Sequence, residues 1–340
     1  DFSKAFDHID HNILVQKLLR MGTRPSIVRW VCSFLSQRRQ AVKLDGVLSK
    51  WAPVHAGVPQ GTKLGPILFL VMVNDLACRS PLKSNHWKYV DDITISEVVP
   101  RNTQSVLQTD LDNIINWAKE NSMNLNPKKC KEISISFLAK DPEVPQLVIH
   151  GRPLEIVNSH QVLGITLCDN LKWNENIEEI VSKASRRLHM LRILKRASVP
   201  ISHLTTLYCA LIRSVMEYAC AVWHNAIPSH LNQQLERVQK RALRIIVPGV
   251  DYKSALSLCS ITTLEERRNE ICKKIFKGAC EASSRLHCNI PPKRKEVHGR
   301  SLRNKEKISL PRCRTERFKR SFFPAMTFLD LTNSPNNFKY

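Results

Sequence analysis

The chain has 340 residues with 52 Lys and Arg against 30 Asp and Glu, a formal net charge of +22. That length buries a real core and leaves room for two or three domains, so a peptide-sized binder is excluded, and the charge suits a polyanionic partner, nucleic acid first. Eleven cysteines at irregular spacing, with no secretory leader, argue against a disulfide framework and predict free thiols in a reducing compartment, the nucleus and cytoplasm.

In chain order, Asn12 to Leu18 and Ser26 to Leu35 carry apolar residues at helical spacing, split by Gly22 as a stop and Pro25 as a start, and predict a helical pair. Ala41 to Leu44, Asp45-Gly46 and Val47 to Val54 read as a hairpin with a favoured two-residue turn. A Gly-rich loop from Gly57 to Gly65 leads into an apolar helix from Pro66 to Leu76. The apolar run inside it, Ile67 to Val73, is far too short to span a bilayer, so no membrane partner is expected. His86 to Val90 and Ile93 to Ser96 read as short strands flanking Asp91 and Asp92, with Ile93 and Ile95 alternating with Thr94 and Ser96. Ser105 to Lys119 is an amphipathic helix, followed by strands at Glu132 to Phe137, Leu147 to His150, Leu154 to Val157 and Gln161 to Leu167.

Beyond Trp173 the pattern changes to long helices, through Ile177 to Leu194, Leu204 to Val215 and Leu231 to Ile246, which places a domain break near residue 170. After Ser283 the chain turns basic and proline-interrupted, with 13 Lys and Arg against 3 Asp and Glu between Arg285 and Arg320, and predicts a loosely ordered tail. Cys272, Cys280, His287, Cys288 and His298 crowd there, without the Cys-x-x-Cys pair or comparable spacing of a zinc knuckle.

Tyr89-Val90-Asp91-Asp92 is the most informative segment. Two adjacent carboxylates at a tight turn repel one another, so either water solvates both or a divalent cation holds them. Three further segments stand in order around it: Asp1-Phe2-Ser3-Lys4-Ala5-Phe6-Asp7, Gly57-Val58-Pro59-Gln60-Gly61, and Asn124-Leu125-Asn126-Pro127-Lys128-Lys129-Cys130-Lys131. With Tyr89 to Asp92 they form a set that resembles motifs A, B, C and D of reverse transcriptases, in wording most like the jockey-type non-LTR retrotransposon polymerases. Leu163-Gly164-Ile165 resembles the family's primer-grip strand, and Tyr208 to Trp223 with Val238 to Ile246 its helical thumb.

The resemblance implies an α+β fold: a right-hand polymerase palm, an antiparallel sheet with packed helices, over 1–170, and an all-α thumb over 171–250. A helical extension over 251–283 and the basic tail over 284–340 follow. It implies RNA-templated DNA synthesis by two-metal nucleotidyl transfer, with two Mg²⁺ ions, or Mn²⁺, stabilising the attacking and leaving oxygens. Asp1 and Asp91 would bridge the ions with Asp92 assisting, and the Phe2 carbonyl would join them. Phe6 would be the steric gate against a 2′-hydroxyl, and Gln60, Gly61 and Tyr89 would line the nucleotide. Lys129 would meet the leaving pyrophosphate, a role that Lys128 or Lys131 could also fill. Gly57, Pro59, Leu163 and Gly164 would touch primer or template, and Arg237, Lys240, Arg241 and Arg244 would contact phosphates. Asp7 reads as a helix cap rather than a catalytic group, and His8 and His11 as surface or capping groups. The implied partners are an RNA template, a DNA primer and deoxynucleoside triphosphates, with the oligomeric state open.

The family's fingers, which precede motif A, have no counterpart here, nor has the strand leading into Asp1. The chain is therefore expected to be a piece of something longer and inactive alone. The alternative is a basic nucleic-acid-binding remnant or domesticated protein without catalysis.

Overall fold

The computed structural model describes residues 2–77, 84–100, 103–138, 144–297 and 307–332. The chain divides into two compact units, Asp1–Asn158 and Ser159–Tyr340. The division falls ahead of Gln161 to Leu167, which reads in the sequence as one strand and forms a hairpin, whereas the sequence places its break near 170.

The first unit mixes helices and short strands. Helix α1 (His11–Arg20) starts where the Asp10 carboxylate accepts the N–H groups of Asn12 and Ile13. Asp7 is therefore not the cap: it sits in a turn in which its own N–H and that of His8 donate to the Lys4 carbonyl, one turn too early to reach the helix. Gly22, at φ +74°, ends the segment and Pro25 opens α2 (Pro25–Leu35), as expected. Next, β1 (Arg39–Gln40) pairs with β4 (Ala52–Pro53) around the inner hairpin of β2 (Lys43–Leu44) and β3 (Val47–Leu48). Both loop residues of that hairpin, Asp45 and Gly46, have positive φ, the type I′ turn that Asp-Gly favours.

The apolar helix α3 (Leu64–Val73) buries Leu68, Phe69, Met72 and Val73. Hairpin β5 (Ser84–Tyr89) and β6 (Asp92–Glu97) follows, then α4 (Leu107–Glu120), which turns Leu111, Ile114 and Ala118 to the core. Four two-residue strands close the unit: β7 (Lys131–Glu132), β8 (Val148–Ile149), β9 (Arg152–Pro153) and β10 (Glu155–Ile156). β8 pairs antiparallel with β9 and β10 pairs parallel with β7.

The single antiparallel sheet that the resemblance implies is not what the described residues form. Their strands make two-stranded pairs only, one of them parallel. Most of these strands are two residues long and carry too few ladder bonds to recruit a third neighbour, while the six-residue pair β5–β6 packs its apolar face on the helical core instead. Phe2, Ile9, Leu14, Val31, Val58, Leu68, Phe69, Met72, Ile114, Met123 and Ile149 share one core.

The second unit opens on hairpin β11 (Ser159–Val162) and β12 (Ile165–Cys168), which packs on α5 (Asn174–Arg196). Then come α6 (Ile201–Leu207), a π-helical turn at Tyr208–Arg213, α7 (Ser214–Glu217) and α8 (Cys220–Trp223). Helices α9 (Ser229–Ile246), α10 (Tyr252–Leu258) and α11 (Leu264–Ala279) complete the bundle. Helix α9 buries Leu235, Val238, Ala242, Leu243 and Ile246 against α5, whose Ile177, Ala184, Leu188 and Leu191 face the same core.

The tail departs from expectation. After α12 (Arg294–Val297) and α13 (Glu316–Lys319), helix α14 (Phe322–Thr332) packs on α11, with Met326 buried and the Phe322 ring edge-on to Phe276 at 6.4 Å. Phe322 and Phe323 supply the apolar surface that docks it; the surrounding basic residues hide that signal in the sequence. Among the described residues no helix is long and apolar enough to cross a membrane.

Candidate active site

In the first unit, four segments far apart in sequence are fastened together. Phe2 pairs antiparallel with Leu125, and the Ser3 N–H donates to the Asn124 carbonyl at 2.7 Å. The Phe2 ring is buried and lies tilted on Trp117 of α4 at 6.1 Å. Asp1 lies outside the described residues.

The turn after Phe2 is sutured to the loop before α3. The Val58 N–H donates to the Phe6 carbonyl at 2.9 Å, and the Gly57 N–H to the Ile9 carbonyl at 2.8 Å. The Gly57 carbonyl in turn accepts from the Arg38 guanidinium and bonds His11 Nε2, both at 2.8 Å. Gly57 has no alternative there. Its φ is +81°, and a Cβ would sit 2.8 Å from Asp7 Cα and from the carbonyl oxygens of Phe6 and Asp7. The half-buried Phe6 ring stacks on Phe69 of α3, 4.7 Å between centroids. Gln60, exposed, donates to the Asp7 carboxylate at 3.4 Å. Pro59 turns its carbonyl to the Thr62 hydroxyl, which accepts the Gly65 N–H and so starts α3, while Gly61 at φ +79° stays open to solvent. His11, expected as a surface or capping group, and Arg38 instead meet on one distant carbonyl, and nothing local in the sequence marks that pair of donors.

The hairpin carrying the two carboxylates is held along its length. Lys88 donates to the carbonyls of Val73, Asn74 and Leu76, which satisfies the C-terminal end of α3. Glu97 accepts from the Ser105 hydroxyl and the Val106 N–H ahead of α4, and Ser84 bonds the buried Asp110 of α4. Tyr89 pairs with Asp92, so the loop is Val90-Asp91 and Asp92 begins the return strand. Val90 takes φ +54° and Asp91 does not take a positive φ, the pattern of a type II′ turn, in which glycine is usual at the first position. Ile93 and Ile95 pack on the core, while Trp87, Tyr89, Asp92 and Thr94 form the exposed face and Asp91 is half-buried.

Neither Asp91 nor Asp92 has an ion pair among the described residues. Their hard oxygens fit a divalent cation such as Mg²⁺ better than the softer His and Cys sets do. No group of three His, Cys, Asp or Glu side chains gathers as metal ligands among the described residues, the Cys272 to Cys288 cluster included. Lys129 and Lys128 lie exposed on the turn after Asn126, whereas Lys131 pairs with Glu155 and is committed to the β7–β10 ladder.

In the second unit, Leu163 and Gly164 form the β11–β12 loop with φ of +47° and +81°, a type I′ turn. Arg237, Lys240, Arg241 and Arg244 lie together on the exposed face of α9. Arg241 donates to Ser185 at 2.7 Å and Lys240 sits 5.0 Å above the Tyr252 ring.

A family profile described as reverse transcriptase (RNA-dependent DNA polymerase) matches residues 1–167. A second, described as the N-terminal region of alkylated DNA repair protein alkB homolog 8, matches residues 173–214, which begin just before α5 and end at the first residue of α7. The chain is 30% identical over 258 residues to the RNA-directed DNA polymerase from mobile element jockey of Drosophila melanogaster, covering 72% of this chain and 28% of that protein. It is 26% identical over 282 residues to the probable RNA-directed DNA polymerase from transposon BS of the same species, 78% of this chain and 31% of the relative. The Drosophila funebris jockey polymerase is 26% identical over 288 residues, 81% and 31%. The chain thus spans under a third of the length of these curated relatives. Residues 1–167 carry the reverse transcriptase match, the likeness to jockey polymerases runs on through most of the second unit, and the chain belongs to the reverse transcriptases, alongside the jockey-like non-LTR retrotransposon polymerases.

Proposed function

We propose that this chain supplies the palm and thumb of a non-LTR retrotransposon polymerase, with the first unit as palm and the helical second unit as thumb. That polymerase joins deoxynucleotides to a primer 3′-hydroxyl on an RNA template. The observation that carries the reading is the Tyr89–Asp92 hairpin, where the loop residue Asp91 and the first residue of the return strand, Asp92, carry adjacent carboxylates with no ion pair among the described residues, at the end of a ladder braced by Lys88, Ser84 and Glu97.

Asp91 and Asp92, with Asp1 and the Phe2 carbonyl, would hold two divalent cations, taken to be Mg²⁺, which supply Lewis acidity at the α-phosphate and at the leaving oxygen. Phe6, braced by Phe69, would meet the sugar edge and exclude a 2′-hydroxyl, the group that separates the two nucleotide pools. Tyr89, Gln60 and Gly61 would border the incoming nucleotide, and Gly57 and Pro59 would keep backbone close to the base pair. Lys129 would donate a proton or its charge to the departing pyrophosphate. Leu163, Gly164 and the basic face of α9 would follow the primer and duplex phosphates.

Primer extension on an RNA template, by the polypeptide carrying these residues, tests this. Asp91→Ala should cut the rate at least about a hundredfold while leaving duplex binding in place. Undiminished extension by that variant would remove the hairpin from the chemistry.

A further inference from the structure

Leu163 is a non-glycine residue at φ +47° in the tip of the β11–β12 hairpin, and it is largely exposed, so packing does not hold it there. Beside the tip lies a cavity of about 370 Å³, lined by Gly164, Ile165, Lys183, Arg187, Tyr218 and Trp223 among others. A strained turn next to open space needs a tether, and one is present. The Tyr218 hydroxyl donates to the Leu163 carbonyl at 2.8 Å, and its ring edge lies 3.4 Å from where a Cβ on Gly164 would be.

Tyr218 is itself fixed from behind. It ends α7, directly after the π-helical turn, and is followed by Ala219 at φ +47°, so the chain reverses at that point. The Tyr218 carbonyl accepts the indole N–H of Trp223 at 3.2 Å, and Trp223 is wholly buried. A rigid line therefore runs from the bundle core through Trp223 and Tyr218 to the Leu163 carbonyl. π-helical turns inside helices accompany functional sites often enough to draw notice to this one.

We infer that Tyr218 is a positioning residue that holds the Leu163–Gly164 tip in the conformation in which it meets the primer. This rests on the reading above that the tip touches the primer strand. The hydroxyl fixes the tip, while glycine at 164 is accounted for by its φ of +81°, since a Cβ there would meet the Tyr218 ring only at ordinary contact distance.

The test uses the full 340-residue chain with an RNA–DNA primer–template whose primer carries a photoreactive thymidine at its 3′ end. Tyr218→Phe keeps the ring and removes only the donor. Its melting temperature should fall by no more than about 2–4 °C, while amide exchange in residues 160–168 accelerates about fivefold, the weight of one net hydrogen bond, and crosslinking to that segment falls by a similar factor. Tyr218→Leu, which removes the ring as well, should lower crosslinking further. If the unaltered chain crosslinks and Tyr218→Phe matches it in both crosslinking and exchange, the positioning role is overturned while the primer contact stands. If the unaltered chain gives no crosslink to 160–168, the primer reading of the hairpin fails, and the inference with it.

Discussion

Single residues carry much of the site's geometry. Gly57 receives donors from α1 and from the chain after α2 on one carbonyl, while its Cα faces backbone that tolerates no Cβ. Gly57→Ala should destabilise the first unit by at least about 2 kcal/mol, measurable by urea denaturation, because the clash is with backbone atoms rather than a movable side chain. In the second unit, Arg268 is fully buried and donates Nε to His224 Nδ1 at 3.2 Å, while His224 Nε2 meets Asn269. Burial, and then the neighbouring guanidinium, hold the His224 imidazolium below its usual range. With the folded value below the unfolded one, near about 6.5, the unfolded chain binds more protons in mild acid. Stability should therefore be intact above that pH and decline as pH falls through the folded value. His224→Asn should flatten this acid limb in a melting-temperature series from pH 8 to 5.

Elements were legible in proportion to how local their signals are. The periodicity of α1, α2, α4, α5 and α9 stands in the sequence, as does Asp45-Gly46 as a turn, whereas the turn expected at Asp91-Asp92 falls one residue earlier, at Val90-Asp91. What sequence could not show is where elements meet. Asp7 reads as the cap of α1 in the sequence, and the structure gives that place to Asp10 because Asp7 is held in the Lys4 turn. Strand pairs that stay two-stranded, and a helix assembled from Phe322 and Phe323 inside a basic stretch, depend on partners outside the local window, tens of residues away for the helix, or on burial alone. The suture between Phe6–Asp7 and Gly57–Gln60 is of that kind too: motif order hinted at a shared site, yet the bonds that make it are to His11 and Arg38. The β5–β6 hairpin is an element held by its neighbours, and Lys88→Met should leave the last carbonyls of α3 without their donor. A loss of about 1 kcal/mol is expected, with faster amide exchange across residues 84–97 and little change in the second unit.

At the scale of the molecule, a charge of +22 on 340 residues dominates any encounter with nucleic acid. Affinity for an RNA–DNA duplex should fall steeply with salt, and log–log plots of binding against salt concentration report how many phosphates are neutralised. Replacing Arg237 or Arg244 by Gln should weaken binding evenly across sequences and reduce that slope by about 0.7–0.9 each. Arg241→Gln should do the same while also releasing Ser185 of α5, so its effect on melting temperature should exceed theirs.

Val90 sets local conformation against packing. Its side chain rests on the core, yet its backbone sits at φ +54°, where a β-branched residue is strained. Glycine at that position would relax the turn and give up the contact, and asparagine would ease the strain with less loss. Position 90 thus reports which demand dominates: Val90→Gly should raise the melting temperature of the first unit if the backbone strain outweighs the core contact, and lower it if the contact outweighs the strain.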